Sequence, residues 1–176
     1  METLIEHRKP VPNHWRIRDG QAPGEAPAPI VAWDVVSLAH WHGLREQPCA
    51  SAPGRPAPVG VWLEPDDDPR ELRTELHRLA LIAVRFPRFT DGRGYSIARL
   101  LRQQLRWSGP LMAIGDVLRD QLLLLERCGF DRFLLRDDQD VESALVAFAD
   151  FSDAYQASAV RVPLFARRRI LDGALA

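Results

Sequence analysis

The chain has 176 residues, 46% of them hydrophobic and 27% charged, with a formal net charge of −1. That length and composition support one domain with its own core and exclude disorder over most of the chain, and no apolar run approaches the roughly 20 residues that a bilayer span requires. A near-neutral balance, in which Lys9 is the single lysine among 23 basic residues, argues against a nucleic-acid binder.

The first residues, Met1 to His7, mix acid and base without the apolar stretch of a signal peptide, so a cytoplasmic protein is expected. Of the 14 prolines, eleven fall at or before Pro69, too densely for long helices or central strands. Residues 1–58 are therefore expected to form a proline-rich segment of short strands and loops that packs on the rest. Within it, Thr3-Leu4-Ile5 and His14-Trp15-Arg16-Ile17 are candidates for a small hairpin, and residues 30–36 for a strand leading into a short helix through Trp41. Residues 18–29 and 46–58 read as loops.

From Val59 the pattern becomes a regular alternation, and residues 59–157 are expected to form an α/β body of four consecutive β-α units. Val59 to Leu63 is the first strand. Asp68 then caps a helix that begins on Pro69, carries Glu71 in its first turn and shows an apolar stripe of Leu72, Leu76 and Leu79. Ala80 to Val84 is the second strand, followed by a helix with Ile97, Leu101 and Leu105 inward and Arg99, Arg102 and Arg106 on the opposite side. Leu111 to Ile114 is the third strand, Leu118 to Cys128 the third helix, and Gly129 its stop. Arg132 to Leu135 is the fourth strand, after which Asp140 caps a helix that buries Val141, Ala144, Leu145, Phe148 and Phe151. Residues 158–176 read as a tail.

Four such units imply a parallel sheet with right-handed crossovers, half of what a closed (β/α)₈ barrel needs. An open sheet remains, or a half-barrel closed by the N-terminal segment or a second subunit. The run Leu122 to Leu125 spreads around most of a helix and so requires cover from more than one side. A homo-oligomer is one way to supply it.

Ligands of parallel α/β sheets sit beyond the carboxyl ends of the strands, where two polar segments fall. The first includes Thr90, Asp91, Gly92, Arg93, Gly94 and Tyr95 at a helix N-terminus, a candidate anion cradle at Gly92, Arg93 and Gly94. It is neither a dinucleotide fingerprint nor a P-loop. The second includes Asp116, Arg119, Asp120 and Gln121. Asp91 and Asp116, on neighbouring strands, are the candidate acid/base pair, with Arg119 a further anion ligand and Thr90, Tyr95, Asp120 and Gln121 in support. A plainer alternative makes Asp116 a helix cap paired with Arg119, and the whole set a network that locks the loops.

Elsewhere the signals are weaker. Cys49 and Cys128 lie far apart without metal-site or redox spacing, and Cys128 falls on the apolar stripe of its helix. His40 and His42 share a face only in an extended chain, so no metal site is expected. Arg167-Arg168-Arg169 reads as a solvated tail. No cofactor motif is evident.

The ordered stretches Phe89 to Ser96, Ala98 to Arg102, Gly115 to Leu122 and Arg127 to Asp131 together resemble the bacterial domain of unknown function 934 family. The resemblance runs from about residue 28 to Gln156. It implies a predicted oxidoreductase or accessory protein of assimilatory sulfite reduction, encoded beside sulfite reductase, with that enzyme or its electron donor as partner. Two positions depart from the family pattern: Met112 stands where an arginine is usual and Ile97 where a glutamine is usual. A polar pocket here would be less cationic than in relatives. The leading expectation is thus an accessory protein of sulfur assimilation; the competing one is a small enzyme or binding module for an oxyanion.

Overall fold

The computed structural model of the chain describes residues 2–18, 30–43 and 58–149. β1 (Thr3–Glu6) and β2 (Lys9–Pro12) form an antiparallel hairpin, while β3 (Arg16–Ile17) departs to pair in parallel with β4 (Asp34–Ser37) at the far side of the sheet. The expected hairpin between Thr3-Leu4-Ile5 and His14-Trp15-Arg16-Ile17 is therefore replaced by two different pairings. His7 and Arg8 close the true hairpin at φ 47° and 64°, left-handed values that cost on the order of 1 kcal/mol each in a non-glycine residue. They are held there by the His7 N–H, which donates to the Asp131 carbonyl at 3.1 Å, and by a bidentate Arg8 to Glu126 pair at 2.7 and 2.6 Å.

After β4 come α1 (Leu38–Gly43), β5 (Gly60–Leu63), β6 (Leu81–Phe86), α2 (Arg93–Gln103), β7 (Leu111–Gly115), α3 (Leu122–Cys128), β8 (Arg132–Phe133) and α4 (Val141–Val146). The eight strands make one curled, half-barrel sheet in the order β2-β1-β8-β7-β6-β5-β4-β3. From β3 to β8 all neighbours are parallel, so the parallel run has six strands where four β-α units were expected. The two extra strands come from the proline-rich region.

One expected helix is also different in kind. Between β5 and β6 the chain makes two 3₁₀ turns, Pro69–Leu72 and Leu76–Arg78, in place of an α-helix. Asp68 does cap the first, its side chain accepting from the Arg70 N–H. The break falls where Glu75, buried between the turns, accepts a 2.6 Å hydrogen bond from the Trp41 indole N–H of α1. A buried carboxylate with a fixed partner overrides a leucine stripe, because leaving it unpaired costs more than a few i→i−4 bonds return. Gly129, at φ 110°, ends α3 as expected, and Asp140 caps α4 by accepting from the Ser143 N–H.

Because β3 to β8 follow one another in chain order, each right-handed crossover returns on the same side, and the helices collect on one face. There Val36, Val61, Leu63, Ile82, Val84, Phe86, Leu111, Ala113 and Phe133 pack against Trp41, Ile97, Leu101, Leu122, Leu125 and Phe148. The other face carries a smaller apolar layer of Leu4, Val35, Trp62, Leu81, Ala83, Met112, Ile114 and Leu134. Met112 and Ile97, the two positions expected to make a polar pocket less cationic, are both core residues. On α3, Leu122 and Leu125 are fully buried but Leu124 is 48% exposed, so the described residues do not supply the all-round cover that the leucine run calls for. Cys49, Phe151, Arg167-Arg168-Arg169 and residues 158–176 lie outside the described residues.

Candidate functional site

The carboxyl ends of β6 and β7 carry the two polar segments, and the geometry there starts from two glycines. Gly115, the last residue of β7, has φ 94°, and a Cβ on it would lie 2.4 Å from the Phe86 carbonyl oxygen. That close approach lets the Asp116 N–H donate to the same oxygen at 2.7 Å, which ties the end of β7 to the end of β6. Gly94, in the first turn of α2, faces the Phe86 ring, whose nearest carbon would be 2.5 Å from an added Cβ. The Gly94 position is thus explained by packing of the helix on a core aromatic, whereas Gly92 has open space around it.

Asp91 closes the helix N-terminus from within. Its carboxylate accepts the Arg93 backbone N–H at 3.1 Å and the Arg93 guanidinium at 3.0 and 2.7 Å, and Arg93 also pairs with Asp66. The guanidinium holds the Asp91 carboxyl down to about 2, and the two carboxylates in turn raise Arg93 above its ordinary value. The Arg93 donors of the proposed anion cradle, its backbone N–H and its guanidinium, are engaged by the chain's own acids.

Asp116 makes a different set of contacts. It does not pair with Arg119: one oxygen accepts the Phe89 backbone N–H at 2.8 Å and the other accepts Arg136 at 2.7 Å. Arg136 bridges on to Asp138 through two 2.7 Å bonds, and that pairing holds the Asp138 carboxyl down to about 2. Asp91 and Asp116 are thus each neutralised by a separate arginine. Gln121 completes the arrangement. Its side-chain carbonyl accepts the Leu118 N–H at 2.9 Å, while its amide donates to the Phe89 carbonyl at 2.9 Å and to the Tyr95 hydroxyl at 3.3 Å. Burial pushes the Tyr95 phenol up, and its ring stands edge-on to Phe86 with centroids 5.4 Å apart.

The consequence is a fixed loop. Both backbone polar groups of Phe89 are bonded, one to Asp116 and one to Gln121, while the Phe89 ring is 53% exposed. Thr90 and Asp120 are exposed. The Arg119 backbone N–H lies 3.4 Å from the Gln139 side-chain oxygen. Sequence reasoning did not single out Arg136 or Phe89. Arg136 follows the last strand at the same sheet edge, a position that could have drawn attention to it; Phe89 has no such signal, since an isolated exposed aromatic is common.

Other candidates stand apart from this edge. His40 and His42 fall on α1, where two residues turn 200° and send the rings to different sides. His42 bonds Glu71 at 2.8 Å. No cluster of three metal-ligating side chains occurs among the described residues. Burial pushes the Cys128 thiol up, which keeps it protonated and a poor nucleophile near neutral pH. No helix among the described residues is long and apolar enough to cross a membrane.

The family described as "Bacterial protein of unknown function (DUF934)" matches residues 60–165, and the chain belongs to it. The match spans β5 to α4 and therefore includes Phe89, Asp91, Arg93, Asp116, Gln121 and Arg136. No curated protein and no solved structure matches the chain.

Proposed function

We propose that the protein is an accessory component of assimilatory sulfite reduction that acts by contact with sulfite reductase or its electron donor. The sulfur association rests on the family resemblance. The contact mode rests on one observation: Asp116 and Gln121 each commit a hydrogen bond to the backbone of Phe89 and so fix the loop that presents an exposed aromatic ring. A preordered loop loses little backbone entropy on docking, and an aromatic is among the side-chain types that most often dominate a protein interface. The competing reading, an oxyanion site at Gly92, Arg93 and Gly94, has less support, because Asp91 and Asp66 already engage the Arg93 guanidinium.

Two experiments test the proposal. A deletion strain should grow poorly with sulfate as sole sulfur source and normally with cysteine; equal growth on both would remove the sulfur assignment. Tagged protein should co-purify with the host's sulfite reductase, and Phe89→Ala should cut recovery at least fivefold while leaving the melting temperature unchanged. Full recovery with Phe89→Ala would show that the docking surface is elsewhere. Sulfite-dependent activity retained in an Arg93→Ala, Asp116→Ala double variant would dispose of the oxyanion reading.

A further inference from the structure

At the opposite end of the sheet from Phe89 lies a cavity of about 310 Å³, between α2, the end of α3 and the start of β8. That volume is at the small end of ligand clefts. Phe130 and Phe133 line it, Arg102, Glu126 and Asp131 supply its charge, and His7 and Ser108 stand at exposed positions around it. We propose that this cavity binds a small organic cation that presents an ammonium or amidinium group.

The argument is one of unspent hydrogen-bonding capacity. Arg102 donates to the Gly129 carbonyl at 2.9 Å, to the Trp107 and Gly109 carbonyls at 2.7 Å each, and to Asp131 at 2.9 Å. A guanidinium has five N–H groups, so Arg102 has one to spare. Among the described residues Asp131 accepts one bond on each oxygen, from the Leu111 N–H and from Arg102. Glu126 likewise accepts one Arg8 N–H on each oxygen. Carboxylate oxygens take two bonds each, so both acids retain acceptor capacity. Arg8 and Arg102 balance the two carboxylate charges, but the open lone pairs of Asp131 and Glu126 outnumber the one open N–H of Arg102. A ligand that brings donors matches it, and one that brings a carboxylate or phosphate does not.

Two further features agree. Arg8 neutralises Glu126 from outside the lining, its guanidinium lying 5.3 Å from the Phe148 ring centroid, so it does not fill the cavity. The left-handed pair His7 and Arg8 then has a local consequence: the turn that sets Arg8 on Glu126 also brings His7 to the cavity. Strain of this kind concentrates where side-chain placement matters. The site is independent of the Phe89 surface, and either can fail alone.

The test is an amide NMR titration of the full chain with benzamidine, with benzoate as the probe of equal shape and opposite charge. Benzamidine should give saturable shifts at Ser108, Gly129 and Asp131, and benzoate should bind at least tenfold more weakly. Ser108→Trp, which fills the cavity mouth, should abolish the benzamidine shifts. Equal binding of the two probes, shifts centred elsewhere, or no saturable shift would each overturn the proposal. If Ser108→Trp fails to fold, the charge comparison and the shift map on the unaltered chain still decide the matter.

Discussion

At Arg102 four acceptors converge on one guanidinium: three carbonyls from the loops after α2 and α3, and the Asp131 carboxylate. The amphipathic pattern of α2 assigns this residue to the solvent side, yet its side chain is only 16% exposed. Periodicity reports the average direction of a helix face, whereas a long side chain near the helix end can turn back under it. Arg102→Leu leaves those acceptors without their donor and should lower the unfolding free energy by about 3 kcal/mol in a urea titration. Arg102→Lys should not restore it, since an ammonium cannot span acceptors set out for a planar fork. Asp91 and Asp138 supply a second prediction at this scale, because their arginines hold both carboxyls at about 2. A carboxyl lowered in the folded state stabilises fully above its unfolded value of about 4, and that contribution is lost as pH falls from about 4 through about 2. The urea midpoint should therefore drop across this window, and an Asp91→Asn, Asp138→Asn double variant should show a shallower drop. An equally steep fall would mean that these pairs do not sense the folded state.

The start of α2 separates two uses of glycine that the sequence alone leaves mixed. Gly92 and Gly94 look alike as flanks of Arg93, but only Gly94 meets a neighbour, the ring of the buried Phe86. Gly94→Ala forces that ring to move and should cost about 1–3 kcal/mol. Gly92→Ala, at φ −81° with nothing within 4 Å, should stay within about 0.5 kcal/mol of the parent. Thermal melts of the two variants check this; equal effects would contradict the packing explanation. Much else at this scale was legible because it depends on local chemistry: the caps at Asp68 and Asp140, the glycine stop at Gly129, and the cores of β5, β6 and β7. What was not legible depends on partners distant in the chain. The 3₁₀ turns answer to Trp41, and Asp116 answers to Arg136 and Phe89. The candidate site was thus legible as a set of residues and not as a set of contacts.

At the scale of the whole molecule, the N-terminal strands decide how the sheet ends. Composition marks the first part of the chain as unsuited to central strands; β2 and β3 do take the two edges, but β1 and β4 are each paired on both sides and lie inside the sheet. On one margin Pro10 and Pro12 remove two backbone donors from β2, which blunts an edge that could otherwise template pairing with another chain. On the other, β3 is only two residues long and is fastened by Asp34, a carboxylate 2% exposed that pairs with Arg16 at 3.2 Å and Arg18 at 2.9 Å. Between these margins β6 and β7 are paired on both sides and packed on both faces, so their amides open only with global unfolding. Hydrogen exchange should therefore be slowest within Leu81–Phe86 and Leu111–Gly115 and faster in Arg16–Ile17. Asp34→Asn should loosen one margin alone. The Arg16 and Arg18 amides, which donate to Trp33 and Val35, should exchange at least tenfold faster, while the hairpin pairing of Thr3–Glu6 with Lys9–Pro12 keeps its protection. If both margins loosen together, the N-terminal strands are one cooperative unit and Asp34 is its support; if only β3 responds, the sheet's two edges are secured independently.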